Sequence, residues 1–152
     1  LCNVLSENGM DNLAYSLLLY EGYPGWLYSV KHGATTIWES WDGVREDGTV
    51  YNSLNHYSYG AVVGWLFDSV CGIRVSGDEI RICPAPGNTL TEASATYDSP
   101  LGRIESGWKR EENRIKYHIV IPANCEAKVC LPGEKPQVLA AGRHELQVYN
   151  YK

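Results

Sequence analysis

The chain has 152 residues, 44% of them hydrophobic, and a formal net charge of -5. That is enough for one ordinary domain or two small ones with packed cores, and it excludes a disordered chain. The acidic balance and the lack of any dense Lys/Arg run exclude nucleic acid and an anionic membrane surface as partners, and no apolar stretch approaches the roughly 20 residues that cross a bilayer.

The sequence opens at Leu1 without an initiator Met or a signal-peptide pattern, so the start reads as cut. Along the chain, Leu13, Leu17, Leu18 and Tyr20 recur at helical intervals, and the cluster Gly22-Tyr23-Pro24-Gly25 is expected to end that helix. A second helix is expected from Asn55 as N-cap to Gly72. Its apolar face holds Tyr59, Val62, Val63, Leu66, Phe67 and Val70, and Tyr57, Ala61 and Trp65 fill other angles. Such a helix calls for burial on more than one side.

From Asp78 the period changes to two. Ile80 and Ile82 alternate with Arg81, and Ile104, Ser106 and Trp108 alternate with Arg103, Glu105 and Lys109. Glu111-Glu112-Asn113 is a turn, after which Ile115, Tyr117, Ile119 and Ile121 return on one face, which makes a hairpin. Two more strands are expected at 127–131 and 145–149, between turn signals at Pro132, Gly133, Pro136 and Gly142. The fold class is therefore α+β in two units, helices over 1–73 and a small antiparallel β-sandwich over 74–152.

Cys2, Cys71, Cys83, Cys125 and Cys130 are odd in number and contain no Cys-x-x-Cys pair. They read as reduced thiols of a cytoplasmic protein, in preference to a zinc site built from Cys71, Cys83, Cys125 and Cys130. No metal and no cofactor are expected.

Chemistry concentrates between the two helices. In Lys31-His32-Gly33-Ala34-Thr35-Thr36-Ile37-Trp38-Glu39-Ser40-Trp41-Asp42-Gly43, two indoles flank a carboxylate. Sugar rings stack their C–H faces on aromatic planes, and glycoside cleavage uses carboxylates as acid and base. The plainer reading, which composition alone favours, makes Trp38 and Trp41 core residues one helical turn apart and Glu39 a solvated side chain. In Ser53-Leu54-Asn55-His56-Tyr57-Ser58-Tyr59-Gly60, His56 falls in the first turn of the expected helix. There the helix dipole disfavours imidazolium and leaves a neutral ring to bond a hydroxyl. A capping or packing histidine is the plainer alternative.

The segments 33–41 and 53–61 together resemble the late motif pair of the bacterial α-L-rhamnosidases. The likeness continues through Pro84-Ala85-Pro86-Gly87, Ala95-Thr96-Tyr97-Asp98-Ser99-Pro100 and Gly102-Arg103-Ile104-Glu105-Ser106-Gly107-Trp108, so it covers nearly the whole chain and weakens over the last 30 or so residues.

The resemblance implies that the first unit is the closing helices of an (α/α)6 catalytic barrel and the second a C-terminal β-sandwich. It implies an inverting hydrolase of terminal α-L-rhamnosides, in which one carboxylic acid protonates the leaving oxygen and a second carboxylate activates water. By motif position Glu39 is the general base, His56 a rhamnose contact, and Trp38 and Trp41 part of the pocket's aromatic wall. No segment before Glu39 resembles the family's acid motif, and of the nearby carboxylates before it only Glu21 is left as a candidate. The chain is thus expected to be an inactive fragment whose exposed helices self-associate, with rhamnose-containing glycosides as partners of the whole protein. The alternative is a non-catalytic β module, carbohydrate-binding or interdomain packing, displaying Trp108 and Tyr97; Trp108 in phase with Ile104 favours packing.

Overall fold

The computed structural model describes residues 1–149, so residues 150–152 of the expected second unit lie outside the described residues. Two compact units divide at Gly64 and Trp65.

The first unit holds three short helices, α1 (Cys2–Glu7), α2 (Asp11–Leu18) and α3 (Trp26–Lys31). The apolar spacing predicts α2, although it ends before Tyr20: Leu19 caps it, its N–H bonding the Tyr15 carbonyl at 2.9 Å and the Tyr20 N–H the Leu17 carbonyl at 3.4 Å. The cluster at 22–25 then turns the chain toward α3. Ala14 and Tyr15 are the buried face of α2.

The second helix starts later than expected. Asn55 caps nothing; its N–H bonds the Ser53 hydroxyl instead. A 3-10 turn covers Tyr59–Ala61, α4 covers Val62–Trp65, and a π-helical turn covers Leu66–Val70. Trp65 is 1% exposed, whereas Tyr57 at 84% and Val63 at 50% lie open, so in this chain the all-round burial expected for this helix is met on one side only. No described helix is long and apolar enough to cross a membrane.

The second unit is one hydrogen-bonded sheet of six strands: β1 (Ile73–Ser76), β2 (Glu79–Ile82), β3 (Glu92–Ser99), β4 (Gly102–Arg110), β5 (Arg114–Val129) and β6 (Gln137–Tyr149). The expected hairpin is β4–β5, with Trp108 opposite Tyr117 and Ser106 opposite Ile119. Its inward positions, Ile104, Ser106, Trp108, Ile115, Tyr117 and Ile119, are all buried, as period-two alternation requires.

Two features depart from expectation. Residues 127–131 do not begin a separate strand, because β5 runs on through a bulge between Ile121 and Glu126, where Asn124 adopts a φ of 61°. The bulge bends β5, which β4 flanks along its first half and β2 along its last. Moreover β2 pairs with β5 in parallel, so the unit is not wholly antiparallel. The β3–β4 hairpin lies between them in sequence, and the chain returns as β5 running the same way as β2.

Two side-chain bonds tie the π-helical turn to the sheet. Trp108 Nε1 donates to the Val70 carbonyl at 2.8 Å and Ser106 Oγ to the Cys71 carbonyl. These satisfy helix-end carbonyls that would otherwise be buried without donors.

Candidate active site

The carbohydrate-like cluster lies wholly in the first unit, in a segment without helix or strand. Lys31 ends α3, Gly33 at φ 82° reverses the chain, and residues 36–43 then run alongside 51–56. Their pairing is a ladder of backbone bonds: His56 N–H to Ile37 O at 2.8 Å, Glu39 N–H to Ser53 O at 2.9 Å, and Tyr51 N–H to Gly43 O at 2.8 Å. Thr36 Oγ1 adds a bond to Leu54 O. The two sequence motifs are therefore zipped to one another, and Glu39 and His56 both stand on that zipper.

Glu39 is exposed, with Oε2 accepting the Ser53 N–H at 3.0 Å. Ser53 thus grips it twice, through the backbone carbonyl and through the N–H. Asn52 makes this possible: its φ of 61° is left-handed, a conformation asparagine tolerates better than most residues, and its Nδ2 donates to Ser40 Oγ at 2.8 Å. A carboxylate anchored at one oxygen keeps lone pairs with which to take a proton from water.

His56 is not in a helix, which corrects the dipole argument made from the sequence. Its Nδ1 accepts the Ser58 N–H at 3.3 Å, so the proton of the neutral ring sits on Nε2, where it can be donated to a hydroxyl.

The indoles are placed differently. Residues 38–41 are not helical, so the two are not one helical turn apart. Trp38 is 5% exposed and packs on Gly43, where a Cβ would meet the indole at 2.9 Å. Trp41 is half-buried, stacked on Tyr59 with centroids 3.7 Å apart and edge-on to Trp26 at 5.2 Å. Trp26 Nε1 donates to Tyr59 O at 2.9 Å and so locks the triad. Trp26, Trp38, Trp41 and Tyr59 line a cavity of ≈ 290 Å³, whose lining also takes in Thr36 and Ile37 but not Glu39 or His56. The structure therefore sets the carboxylate and the histidine on the same paired stretch of main chain and gathers the indoles around a cavity that neither of them lines.

Sequence reasoning missed Ser53 as the carboxylate's anchor, and Trp26 and Tyr59 as partners of Trp41. Only the aromatic content around α3 signalled the latter. Glu21, the candidate acid upstream of Glu39, is exposed and ion-paired with Lys31. Among the described residues no group of three or more His, Cys, Asp or Glu side chains is arranged to hold a metal ion.

Comparison with known proteins matches residues 1–70 to the bacterial alpha-L-rhamnosidase 6 hairpin glycosidase domain and residues 78–145 to the bacterial alpha-L-rhamnosidase C-terminal domain. An alpha-L-rhamnosidase of Formosa agariphila is 38% identical over 146 residues, covering 91% of this chain and 16% of the relative. Among solved structures, the alpha-L-rhamnosidase of Aspergillus terreus superposes with a TM-score of 0.91 at 31% identity, over 97% of this chain and 18% of that one. The Streptomyces avermitilis alpha-L-rhamnosidase complexed with L-rhamnose does so at 0.88 and 30%, over 97% and 17%. The chain thus spans less than a fifth of the length of these proteins.

Proposed function

Because the chain belongs to the bacterial α-L-rhamnosidase family, we propose that the whole protein hydrolyses terminal α-L-rhamnosides with inversion, and that this chain supplies its general base and part of its sugar pocket. In this reading the first unit completes an (α/α)6 barrel, and the second is a β-sandwich that follows it.

Glu39 removes a proton from the water that attacks the anomeric carbon, and a carboxylic acid on another part of the barrel protonates the leaving oxygen. His56 donates its Nε2–H to a rhamnose hydroxyl. Trp38 and Trp41 form the pocket's wall through the Trp26–Trp41–Tyr59 stack behind them. The observation that carries the reading is the ladder between residues 36–43 and 51–56, which fixes an exposed carboxylate and a neutral-tautomer imidazole on one paired segment.

The test is Glu39→Gln in the whole enzyme. A positioned base contributes about 10²–10⁴-fold, so turnover is expected to fall by at least that factor, with the substrate's KM little changed. Proton NMR of the first product should show the β anomer in the unmodified enzyme. Retained turnover in the variant, or an α product, overturns the assignment.

Without the acid, the chain by itself is expected to be inactive. Val4, Leu13, Val30 and Ile37, all exposed on the first unit, support its self-association; sedimentation velocity returning a monomer at high concentration would refute that. The free state of all five cysteines supports a reducing, cytoplasmic setting. For the β unit the buried Trp108 favours packing over glycan binding, under which titration of the chain with rhamnose-containing glycans gives no saturable signal.

A further inference from the structure

Cys83 and Cys130 stand one residue past the ends of β2 and β5. Those strands run parallel in the register Ile80–Ala127, Arg81–Lys128, Ile82–Val129. The Cys130 N–H donates to Ile82 O at 3.0 Å, which continues the ladder by one rung and makes Cys83 and Cys130 its next pair. Register partners in a parallel ladder project to the same face, on strands about 4.8 Å apart. That spacing lies inside the 4.4–6.8 Å range of Cα separations that a disulfide spans, near its short end.

The two side chains are close enough for Cys130 to perturb the Cys83 thiol. Both are half-buried, whereas Cys2 and Cys71 are buried.

From this placement we infer that Cys83 and Cys130 form a reversible disulfide with a small-molecule disulfide as oxidant, stapling β2 to β5. The exchange balances as follows. The Cys130 thiolate attacks one sulfur of oxidised glutathione, breaking its S–S bond, expelling one glutathione thiolate and leaving a mixed disulfide on Cys130. Cys83 then loses its proton and attacks the Cys130 sulfur, expelling the second glutathione. Two cysteine thiols are oxidised, one glutathione disulfide is reduced, and the two protons end on the released thiols. Burial first, and then the hydrogen bond and charge of Cys130, push the Cys83 thiol up to about 11, which keeps Cys83 protonated near neutral pH and makes it the slower, resolving thiol, its attack driven by proximity to the mixed disulfide on Cys130.

The staple would act on the short seam between β2 and β5. β2 has four residues, of which three register pairs join it to β5, and the Cys83 N–H bonds Gly72 O at 2.9 Å, just before β1. Oxidation would fix this corner of the sheet covalently, and reduction would free it.

The chain is incubated with oxidised glutathione, quenched with an alkylating agent and digested without reduction. Peptide mass spectrometry is expected to show Cys83 joined to Cys130, with two thiols fewer by dithionitrobenzoate titration and full reversal by dithiothreitol. In Cys83→Ser the remaining Cys130 should stop at the glutathione mixed disulfide, while Cys125→Ser should leave the 83–130 link intact. The oxidised chain should also unfold at a higher urea concentration than the reduced one. Cys83 and Cys130 each remaining a free thiol, each carrying its own glutathione, or linking instead to Cys125 would overturn the proposal.

Discussion

Replacing Gly72 by Ala probes the corner where β1 begins, and the structure fixes how much it should cost. Gly72 has a φ of +75°, and a Cβ built there would lie 2.1 Å from the Pro84 nitrogen and 2.3 Å from the Cys83 carbonyl carbon. The left-handed backbone costs an L-residue about 1–2 kcal/mol. Overpacking adds about 1–3 kcal/mol, at the upper end here because backbone and not a flexible side chain must give way. Gly77 is the internal control: its φ is +60°, but nothing lies within 4 Å of the position a Cβ would take. Gly77→Ala therefore carries only the backbone cost, and Gly72→Ala is expected to be less stable than it by about 3 kcal/mol. With a urea slope of about 2 kcal/mol/M, midpoints read by tryptophan fluorescence should differ by about 1.5 M. Midpoints that coincide would show that the chain at Gly72 and Pro84 is not as close as described.

Two further outcomes concern the second unit. Trp108→Phe removes the donor to Val70 O and part of a buried ring. The orphaned carbonyl and lost volume should together destabilise the chain by about 3 kcal/mol in the same urea experiment, with the fold retained by circular dichroism. In Glu111 the hydrogen bond from Lys116 first, and that from Arg114 second, hold the carboxyl below its ordinary value of 4.5. A depressed folded-state pKa contributes stability that is present above the unfolded value and lost as pH falls through the folded one. Wild type should therefore be more stable than Glu111→Gln at pH 7, with the gap closing as pH drops below 4.5, measured by thermal melts across pH 3–7.

The parts of this fold that were legible in the sequence are those in which neighbours in sequence are neighbours in space. The alternation of Ile104, Ser106 and Trp108 against Ile115, Tyr117 and Ile119 is a local signal, because a hairpin pairs consecutive strands, and the structure buries all six. The parallel β2–β5 pair had no such signal. Its register joins residues nearly 50 positions apart across an intervening hairpin, and three rungs leave no pattern in either strand alone. The late start of the second helix has a similar cause. Residues 53–58 have side chains that suit a helix N-terminus, but their backbone groups are already committed to 36–39, and that long-range pairing outweighs the local capping preference.

The same competition changes the physical basis of the candidate site without removing its members. Glu39 and His56 were singled out separately, one for its aromatic neighbours and the other for a helix dipole, and neither reason describes what holds them. The indoles around Glu39 pack with Trp26, Gly43 and Tyr59, while the carboxylate is held by Ser53. The imidazole's tautomer is set by the Ser58 N–H and not by a helix end. A local dipole effect fades within one turn and is screened by salt, whereas a direct bond from a backbone N–H, Ser53's to the carboxylate and Ser58's to the imidazole, orients its acceptor whatever the ionic strength. Whatever order the segments carrying Glu39 and His56 have thus comes from main-chain pairing between the two motifs, and if the two act as proposed, both motifs and their separation matter to the site as much as the two side chains do.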